Sequence, residues 1–328
     1  MRILIFRTDR FGDFIVTNIA INSLYERLNA KIDIVCSKKN FEYIKKFNTF
    51  ENIYIFEKSY VKFFLTNFEI LKKNYDYIFI YDGKKRSHVI SFFLRGKKLS
   101  LVKSFGLYKI AKFFGYKVYF NLESLSQLSN FNFLNLLIDI RPKKIDFYKN
   151  FVFDTSLKLK NEYKDSNVFH LDEKWFKGYY YHDFDYCNFD KTLFDNLLNI
   201  YNKKTKSKLV ISTGHIKVDF IESLKNTVFK KINDNEYIHK KYGNIFLLAN
   251  TTFTQFEYFL KNNCKNLIAC EGGITHVSHN LSIQTYAFYQ KGRERFYEHW
   301  TKHMPKVKLF KRPLNNEELL NFFSNCNL

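Results

Sequence analysis

Short apolar runs alternate with amphipathic stretches over the first 150 residues. The runs have strand length, and helical patterns such as VTNIAINSLYERLN fall between them. Buried runs separated by helices predict a parallel sheet that is covered on both faces. We therefore predict a doubly wound α/β domain whose strands are ILIF, KIDIVCS, NIYIFEK, YDYIFIYDG, KLSLVKS and YKVYFNL.

The rhythm stops between residues 141 and 190, where the sequence is aromatic, charged and weakly periodic. This composition favours a connection and an irregular domain entry. The alternation resumes at KLVISTG and continues through NIFLLAN, KNLIACEGG and QTYAFYQKG to a capped final helix in LNNEELLNFFSNC. We predict two domains, 1–160 and 161–328, that face each other across a cleft, with ligands bound beyond the carboxyl ends of the strands.

The loop after the first strand, RTDRFGDF at residues 7–14, concentrates charge. Gly12 allows the backbone to turn, and Asp13 falls at or just before the first turn of the next helix. Asp13 could be a simple N-cap. The neighbouring Arg7 and Arg10 favour a different role, a carboxylate that binds and deprotonates a hydroxyl of an anionic acceptor. The loop lacks GxGxxG, which argues against a nicotinamide-dependent oxidoreductase.

A second loop, ISTGHIK at residues 211–217, follows the first strand of the later domain. Ser212 and Thr213 supply hydroxyl and N–H groups, Gly214 permits close backbone approach, and Lys217 adds a point charge. Such a set can hold phosphate oxygens. Hydroxyls and glycine are equally ordinary turn chemistry, so both interpretations stay open here.

A third loop, CEGGITHVSHN at residues 270–280, combines two glycines with the start of a helix. The helix, beginning near Ile274 or Thr275, would direct its free N–H groups and positive end at an anion. His276 in the first turn could donate to a phosphate or a sugar hydroxyl, whereas we interpret His279 as an ordinary helix residue. Glu271 could accept from sugar hydroxyls or be a solvated turn residue.

Composition adds bounds to this picture. The chain has 328 residues and a net charge of +21, which favours anionic partners, although an AT-rich genome would also enrich Lys, Asn, Ile, Phe and Tyr. No apolar run approaches the ~20 residues of a membrane span, and the N-terminus turns polar too early for a signal peptide. We expect a cytoplasmic protein whose five scattered cysteines are reduced thiols, mostly buried.

The opening ILIFRTDRFGDFIVTNIAINSLYERL…KIDIVCS and the later NLIACEGGITHVSHNLSIQTYAFYQKG resemble the two ends of the ADP-heptose:lipopolysaccharide heptosyltransferase family. The resemblance covers both domains but shows little between about 120 and 205. It implies the GT-B fold, two Rossmann-like domains facing across a cleft, and inverting sugar transfer from a nucleotide diphosphate without a metal or a cofactor. It also implies Asp13 as the general base and Ser212, Thr213, Lys217, Glu271, Gly273 and His276 as donor-binding residues. From the loops themselves we add Arg7 and Arg10 on the acceptor side and Gly272 and Thr275 on the donor side.

Two departures bear on the substrate. Glu271 replaces the family's aspartate, and the tryptophan and proline common after the donor lysine are missing. The sugar is therefore either a heptose or another nucleotide-activated sugar, and the acceptor a cell-surface glycan or glycolipid such as lipopolysaccharide core or capsule. We expect contact with anionic lipid at the inner face of the cytoplasmic membrane and no nucleic acid. The alternative function is a non-catalytic binder of nucleotide or nucleic acid, which needs interleaved arginines and aromatics on one face.

Overall fold

The computed structural model describes residues 1–57, 59–102, 104–120, 133–134, 147–176, 189–214, 216–326 and 328. Within this part of the chain, residues form two compact units, Met1–Val152 and Phe153–Leu328. The sequence placed the boundary after residue 160. The thiol predicted at Cys187 lies outside the described residues.

The first unit is built on a six-stranded parallel sheet of order β3-β2-β1-β4-β5-β6. The order reverses between β1 and β4, which makes the carboxyl ends of these two strands the switch point where ligands of open α/β sheets bind. The strands are β1 (Arg2–Arg7), β2 (Lys31–Ser37), β3 (Phe50–Phe56), β4 (Asn74–Ile80), β5 (Arg95–Val102) and β6 (Lys117–Phe120).

Helices cover this sheet. Residues Phe14 to Leu24 of the first helix are all buried, as expected for a helix packed under other elements. The stretch YVKFFLTNFEILKKN, predicted as one helix, forms two, because Asn67 leaves helical geometry and its side chain donates to the Phe63 carbonyl. The helices are α1 (Phe11–Leu28), α2 (Lys38–Ile44), α3 (Tyr60–Thr66), α4 (Glu69–Lys72), α5 (Lys85–Phe92) and α6 (Phe105–Phe113).

The second unit has an eight-stranded sheet of order β14-β13-β12-β7-β8-β11-β10-β9. Its strands are β7 (Ser166–Leu171), β8 (Leu209–Thr213), β9 (Phe229–Lys231), β10 (Glu236–His239), β11 (Ile245–Leu248), β12 (Cys264–Cys270), β13 (Gln284–Tyr289) and β14 (Val307–Lys311). The pairs from β14 to β11 are parallel, but β10 pairs antiparallel with both β11 and β9. The prediction of a parallel sheet is therefore confirmed except at this edge.

The largest error of the sequence prediction lies at β7. The segment expected to be irregular contains a strand with all six residues buried, and this strand occupies the middle of the second sheet. The sequence analysis also missed the helix that follows, α7 (Lys191–Lys204), which Asp190 caps by accepting from the Leu193 N–H. The later helices are α8 (Asp219–Thr227), α9 (Phe253–Asn263), α10 (Gly273–Asn280), α11 (Glu294–Thr301) and α12 (Asn316–Asn325).

Two further expectations can be compared with the structure. Among the described residues, no helix has the length and apolar character needed to cross a bilayer. In the same part of the chain, Cys36, Cys270 and Cys326 are buried free thiols, and Cys264 is a half-buried one.

Candidate functional site

The loop after β1 is held in place by Arg7, which has no exposed surface. Its Nε and Nη2 donate to the backbone carbonyl of Asp13 at 3.1 and 2.8 Å, and its Nη1 donates to the carbonyl of Tyr81 at 2.9 Å. Because the guanidinium is buried and its N–H groups are hydrogen-bonded to these carbonyls, it is not accessible to a substrate. This argues against the predicted contact between Arg7 and an acceptor. Arg7 instead joins the ends of β1 and β4 to the start of α1.

Asp13 is the third residue of α1, and its side chain is 33% exposed. Arg10 occupies the N-cap position without a side-chain capping bond, so the simple N-cap role considered for Asp13 is wrong. The Arg7 guanidinium lies close to it, with 3.8 Å between Nη2 and Oδ1. An accessible carboxylate beside a fixed positive charge can accept a proton from a hydroxyl group brought to it.

A buried polar network that the sequence analysis did not single out supports this loop from β4. Asp82 accepts from the N–H of Thr8 at 3.2 Å and from its hydroxyl at 2.5 Å, and from the Ser87 hydroxyl at 2.6 Å. Burial, followed by the nearby Asp9, raises the pKa of Asp82. Arg86 donates to the carbonyl and hydroxyl oxygens of Thr8. The signal available in the sequence was the acid placed directly after the strand, in YDG.

Asp13 opens onto a cavity of about 870 Å³ at the carboxyl ends of β1 to β4. Its lining carries six basic side chains against the three acids Asp9, Asp13 and Glu57; the basic ones are Arg10, Lys38, Lys39, Lys62, Lys84 and Arg86. Two acids are already paired, Asp9 with Lys84 and Glu57 with Lys62. The excess positive charge suits an anionic ligand.

In the second unit, the carboxyl ends of β12, β7 and β8 lie side by side. Ser212 at the end of β8 has no exposed surface, and its hydroxyl lies 2.9 Å from Nδ1 of His170 on β7. This pairing argues against the predicted contact of the Ser212 hydroxyl with a donor phosphate. Thr213 is half-buried and Lys217 is exposed, so both are accessible to a ligand.

Glu271 is also engaged inside the protein. Its Oε1 accepts from the Tyr297 hydroxyl at 3.1 Å, and its Oε2 lies 3.4 Å from Nη2 of the buried Arg312. Arg312 in turn donates to the carbonyl of Lys174 at 2.8 Å. These contacts favour a structural carboxylate over both roles that the sequence left open, a solvated turn residue and a direct acceptor from sugar hydroxyls.

Lys174, which follows the unpredicted strand β7, is a central residue of this site. Its Nζ donates to the Glu271 carbonyl at 2.7 Å and lies 3.6 Å from the Asp172 carboxylate. Burial by itself lowers the pKa of Lys174, but Asp172 and Glu271 raise it overall above its ordinary value. A β-carbon added at Gly272 would lie 2.6 Å from this Nζ. The ammonium group therefore packs directly under the glycine turn.

The glycine turn leads into α10, whose N-cap is Gly272 with φ +150°. In the first turn, Thr275 and His276 are buried, and neither Oγ1 of Thr275 nor Nε2 of His276 has a hydrogen-bond partner among the described residues. The His276 ring packs edge-on against Trp300 at 4.4 Å. Burial, then His303 and His279, lower the pKa of His276 to about 3, which keeps the imidazole neutral. Unpaired polar groups at a helix N-terminus suit an anionic or polyhydroxy ligand.

The metal-free character predicted from the resemblance concerns the reaction and stays a prediction. Within the described ranges, no three His, Cys, Asp or Glu side chains are grouped as metal ligands.

Two successive Rossmann-like units define the GT-B class of fold, which the chain shares with nucleotide-sugar glycosyltransferases. Heptosyltransferase WaaC of E. coli, solved with ADP, is 12% identical over 98% of both chains, with a TM-score of 0.68. Heptosyltransferase II of E. coli is 12% identical, with coverage of 98% and 97% and a TM-score of 0.62. A family 9 glycosyltransferase of Veillonella parvula gives 12% identity, coverage of 94% and 86%, and a TM-score of 0.65.

No protein-family model and no curated protein matches the sequence. The structural similarity confirms the predicted fold and the resemblance at the level of the fold. The cleft between the two units stays a prediction.

Proposed function

We propose that the protein is a glycosyltransferase that moves a sugar from a nucleotide diphosphate to a hydroxyl group of a bacterial surface glycan. The observation that carries this proposal is the near-full-length likeness to a heptosyltransferase solved with ADP. A related structure of the same enzyme holds ADP-2-deoxy-2-fluoro heptose. The two candidate sites lie at the carboxyl ends of the strands of their respective sheets, as ligand sites of this architecture do.

In the first unit, Asp13 acts as the general base. It takes the proton of the acceptor hydroxyl as the acceptor oxygen bonds to the anomeric carbon of the sugar, and the bond from that carbon to the diphosphate breaks on the opposite side. The reaction inverts the anomeric carbon and requires no metal. Arg10 and the lysines of the basic cavity orient an anionic acceptor, and Arg7 keeps Asp13 in place.

In the second unit, the N-terminus of α10 receives the diphosphate. Its free N–H groups stabilise the negative charge that grows on the leaving group. His276, neutral at physiological pH, supplies Nε2, and Thr275 supplies a hydroxyl. Thr213 and Lys217 add a hydroxyl and a charge from the neighbouring loop, while Lys174 fixes the turn from below.

The sugar is a heptose or another nucleotide-activated sugar, and the acceptor belongs to lipopolysaccharide core, capsule or a similar glycolipid. Such acceptors are made on lipid carriers or lipid anchors, so the enzyme works at the inner face of the cytoplasmic membrane. This placement agrees with the basic cavity, since acceptors of this kind carry phosphate or carboxylate groups.

The Asp13→Asn variant tests the proposal. Removal of a general base costs about 10²- to 10⁴-fold in rate, so we expect transfer to fall by that factor while donor binding persists. The assay incubates each of the ADP, UDP, GDP and CMP sugars with a surface-glycan extract and detects the product by mass spectrometry. Donor binding is measured separately by thermal shift.

Glu57→Gln is the matched control, because this acid lines the same cavity but is paired with Lys62. We expect it to keep near-normal transfer. An active Asp13→Asn enzyme would remove the assigned base. Absence of any thermal shift with the sugars, together with filter binding of RNA, would instead support the non-catalytic alternative.

A further inference from the structure

Large apolar side chains are exposed together on one side of the first unit. In the described part of the chain fifteen are exposed, and eleven of these lie between residues 60 and 120. Phe113 on α6 is 85% exposed, Leu65 on α3 77%, and Phe93 after α5 60%. Exposure of this density is unusual for a monomeric surface and marks an interaction site.

Ring contacts connect aromatic side chains of this set, and Phe92 and Phe93 join them with 5.5 Å between ring centroids. Phe64 of α3 contacts Phe93 with 5.6 Å between ring centroids, Phe92 contacts Phe114 at 5.1 Å, and Phe114 contacts Phe113 at 5.2 Å. An apolar groove of about 690 Å³ runs between α5 and α6. We call this surface, formed by the exposed apolar side chains of α3, α5 and α6 with Phe93 and Phe114, the apolar face.

The charge around the apolar face is predominantly positive, and the two acids near α3, Glu57 and Glu69, are each paired with a lysine. From Gly83 to Phe120 the sequence contains no aspartate or glutamate, and its basic residues are Lys84, Lys85, Arg86, Arg95, Lys97, Lys98, Lys103, Lys109, Lys112 and Lys117. Lys109 lies over the exposed ring of Phe105, with Nζ 4.6 Å from its centroid. Lys85 lines the groove itself. Such a surface is complementary to a partner that is apolar inside and negatively charged at its boundary.

We propose that the apolar face docks on an anionic phospholipid bilayer, with its aromatic side chains in the headgroup–acyl boundary and the lysines on the lipid phosphates. Apolar insertion and electrostatic attraction are the two terms that hold peripheral proteins on such membranes. The acid-free stretch from Gly83 to Phe120 and the protruding rings suit an anionic bilayer better than they suit a protein partner whose surface carries charges of both signs. The docking requires no catalysis and is independent of the proposed reaction.

The position of the apolar face explains what docking would achieve. Helices α3 and α5, which carry part of the face, start at the basic cavity, where Ser59, Lys62, Lys84 and Arg86 belong to the lining. A membrane under these helices would bring lipid headgroups close to Asp13. This consequence, unlike the docking itself, rests on the proposed function.

The experiment is flotation of the full-length protein with vesicles of phosphatidylcholine alone or mixed with phosphatidylglycerol, without nucleotide or acceptor. We expect flotation with the mixed vesicles only. The double variant F105S/F113S changes two exposed side chains, and its partition coefficient should fall at least about tenfold, given the value of a buried Phe. K109Q/K112Q should lose roughly 25-fold on mixed vesicles, at about fivefold per lysine near the surface.

K203Q/K206Q is the matched control, since it removes the same charge from exposed positions in the second unit; it should float like the unaltered protein. Unchanged melting temperatures show that the variants are folded. Failure of the unaltered protein to float, or equal flotation of F105S/F113S, overturns the proposal. It is also overturned if the protein does not float but sediments as a dimer that F105S/F113S converts to a monomer, because a second copy then covers the apolar face.

Discussion

Replacing Arg7 with lysine separates two roles for this residue, anchoring the loop or binding the acceptor. The substitution keeps the positive charge but removes the planar fork that reaches the carbonyls of Asp13 and Tyr81. A lysine ammonium at this buried position can reach one of these oxygens and leaves the other without its donor. We therefore expect Arg7→Lys to lower stability and to displace Asp13.

The size of the effect follows from the three bonds. A hydrogen bond from a charged donor contributes about 1.5–3 kcal/mol, so the loss of two bonds, partly offset by relaxation, costs about 3 kcal/mol. For a unit of this size each kcal/mol shifts the melting temperature by roughly 2–4 °C, which gives a decrease of roughly 6–12 °C. Thermal unfolding followed by circular dichroism measures this directly.

Arg10→Lys is the matched control, because Arg10 is exposed and lines the basic cavity. It should shift the melting temperature by less than about 2 °C, as surface substitutions do, and raise the KM for the acceptor. For Arg7→Lys we expect a lower kcat with little change in the donor KM. A stable Arg7→Lys protein with a raised acceptor KM would refute the anchoring role and restore Arg7 as an acceptor-binding residue.

Two further predictions concern the donor loop. Gly272→Ala places a β-carbon 2.6 Å from Nζ of Lys174 at a φ of +150°. We expect its affinity for the nucleotide sugar, measured by calorimetry, to fall about tenfold. Gly106→Ala is the control, because Gly106 has open space around it, and this variant should bind normally. In the folded protein the pKa of His276 is about 3, whereas in the unfolded chain it is near 6.5. Between these pH values the unfolded state binds a proton on His276 that the folded state does not bind, so stability falls as pH decreases from about 6.5 towards 3. The slope should be shallower in His276→Gln by up to roughly 1.4 kcal/mol per pH unit in urea titrations, and an unchanged slope would contradict the burial of a neutral imidazole.

The sequence predicted all six strands of the first sheet, because parallel strands buried on both faces appear in the sequence as continuous apolar runs. Strand β7 was not predicted because half of the residues in its segment, SNVFHL, are polar. The structure satisfies these polar groups with distant partners: Asn266 donates to Asn167, Asn167 donates to Tyr201, and His170 pairs with Ser212. Partners so far apart along the chain leave no local periodicity that a sequence pattern could show.

The candidate site was predicted in the same uneven way. The three loops were located correctly, because each follows a parallel strand and therefore lies at the carboxyl end of its own sheet, the first loop in the first unit and the other two in the second. The direction of individual side chains was not predictable. The Arg7 side chain points inward because it donates to buried backbone carbonyls, and the Ser212 side chain points inward because it pairs with the imidazole of His170. Lys174 and Asp172 were missed because the strand that carries them was missed.

The central position of β7 also has a consequence for biosynthesis. Asn266 follows Asn167 by 99 positions, so β7 emerges from the ribosome long before its neighbour β12 exists. At translation speeds of roughly 5–20 residues per second, the nascent strand waits about 5–20 s with one edge uncovered. Newly made chains should therefore depend on chaperones during this interval, and slow synthesis should increase their aggregation.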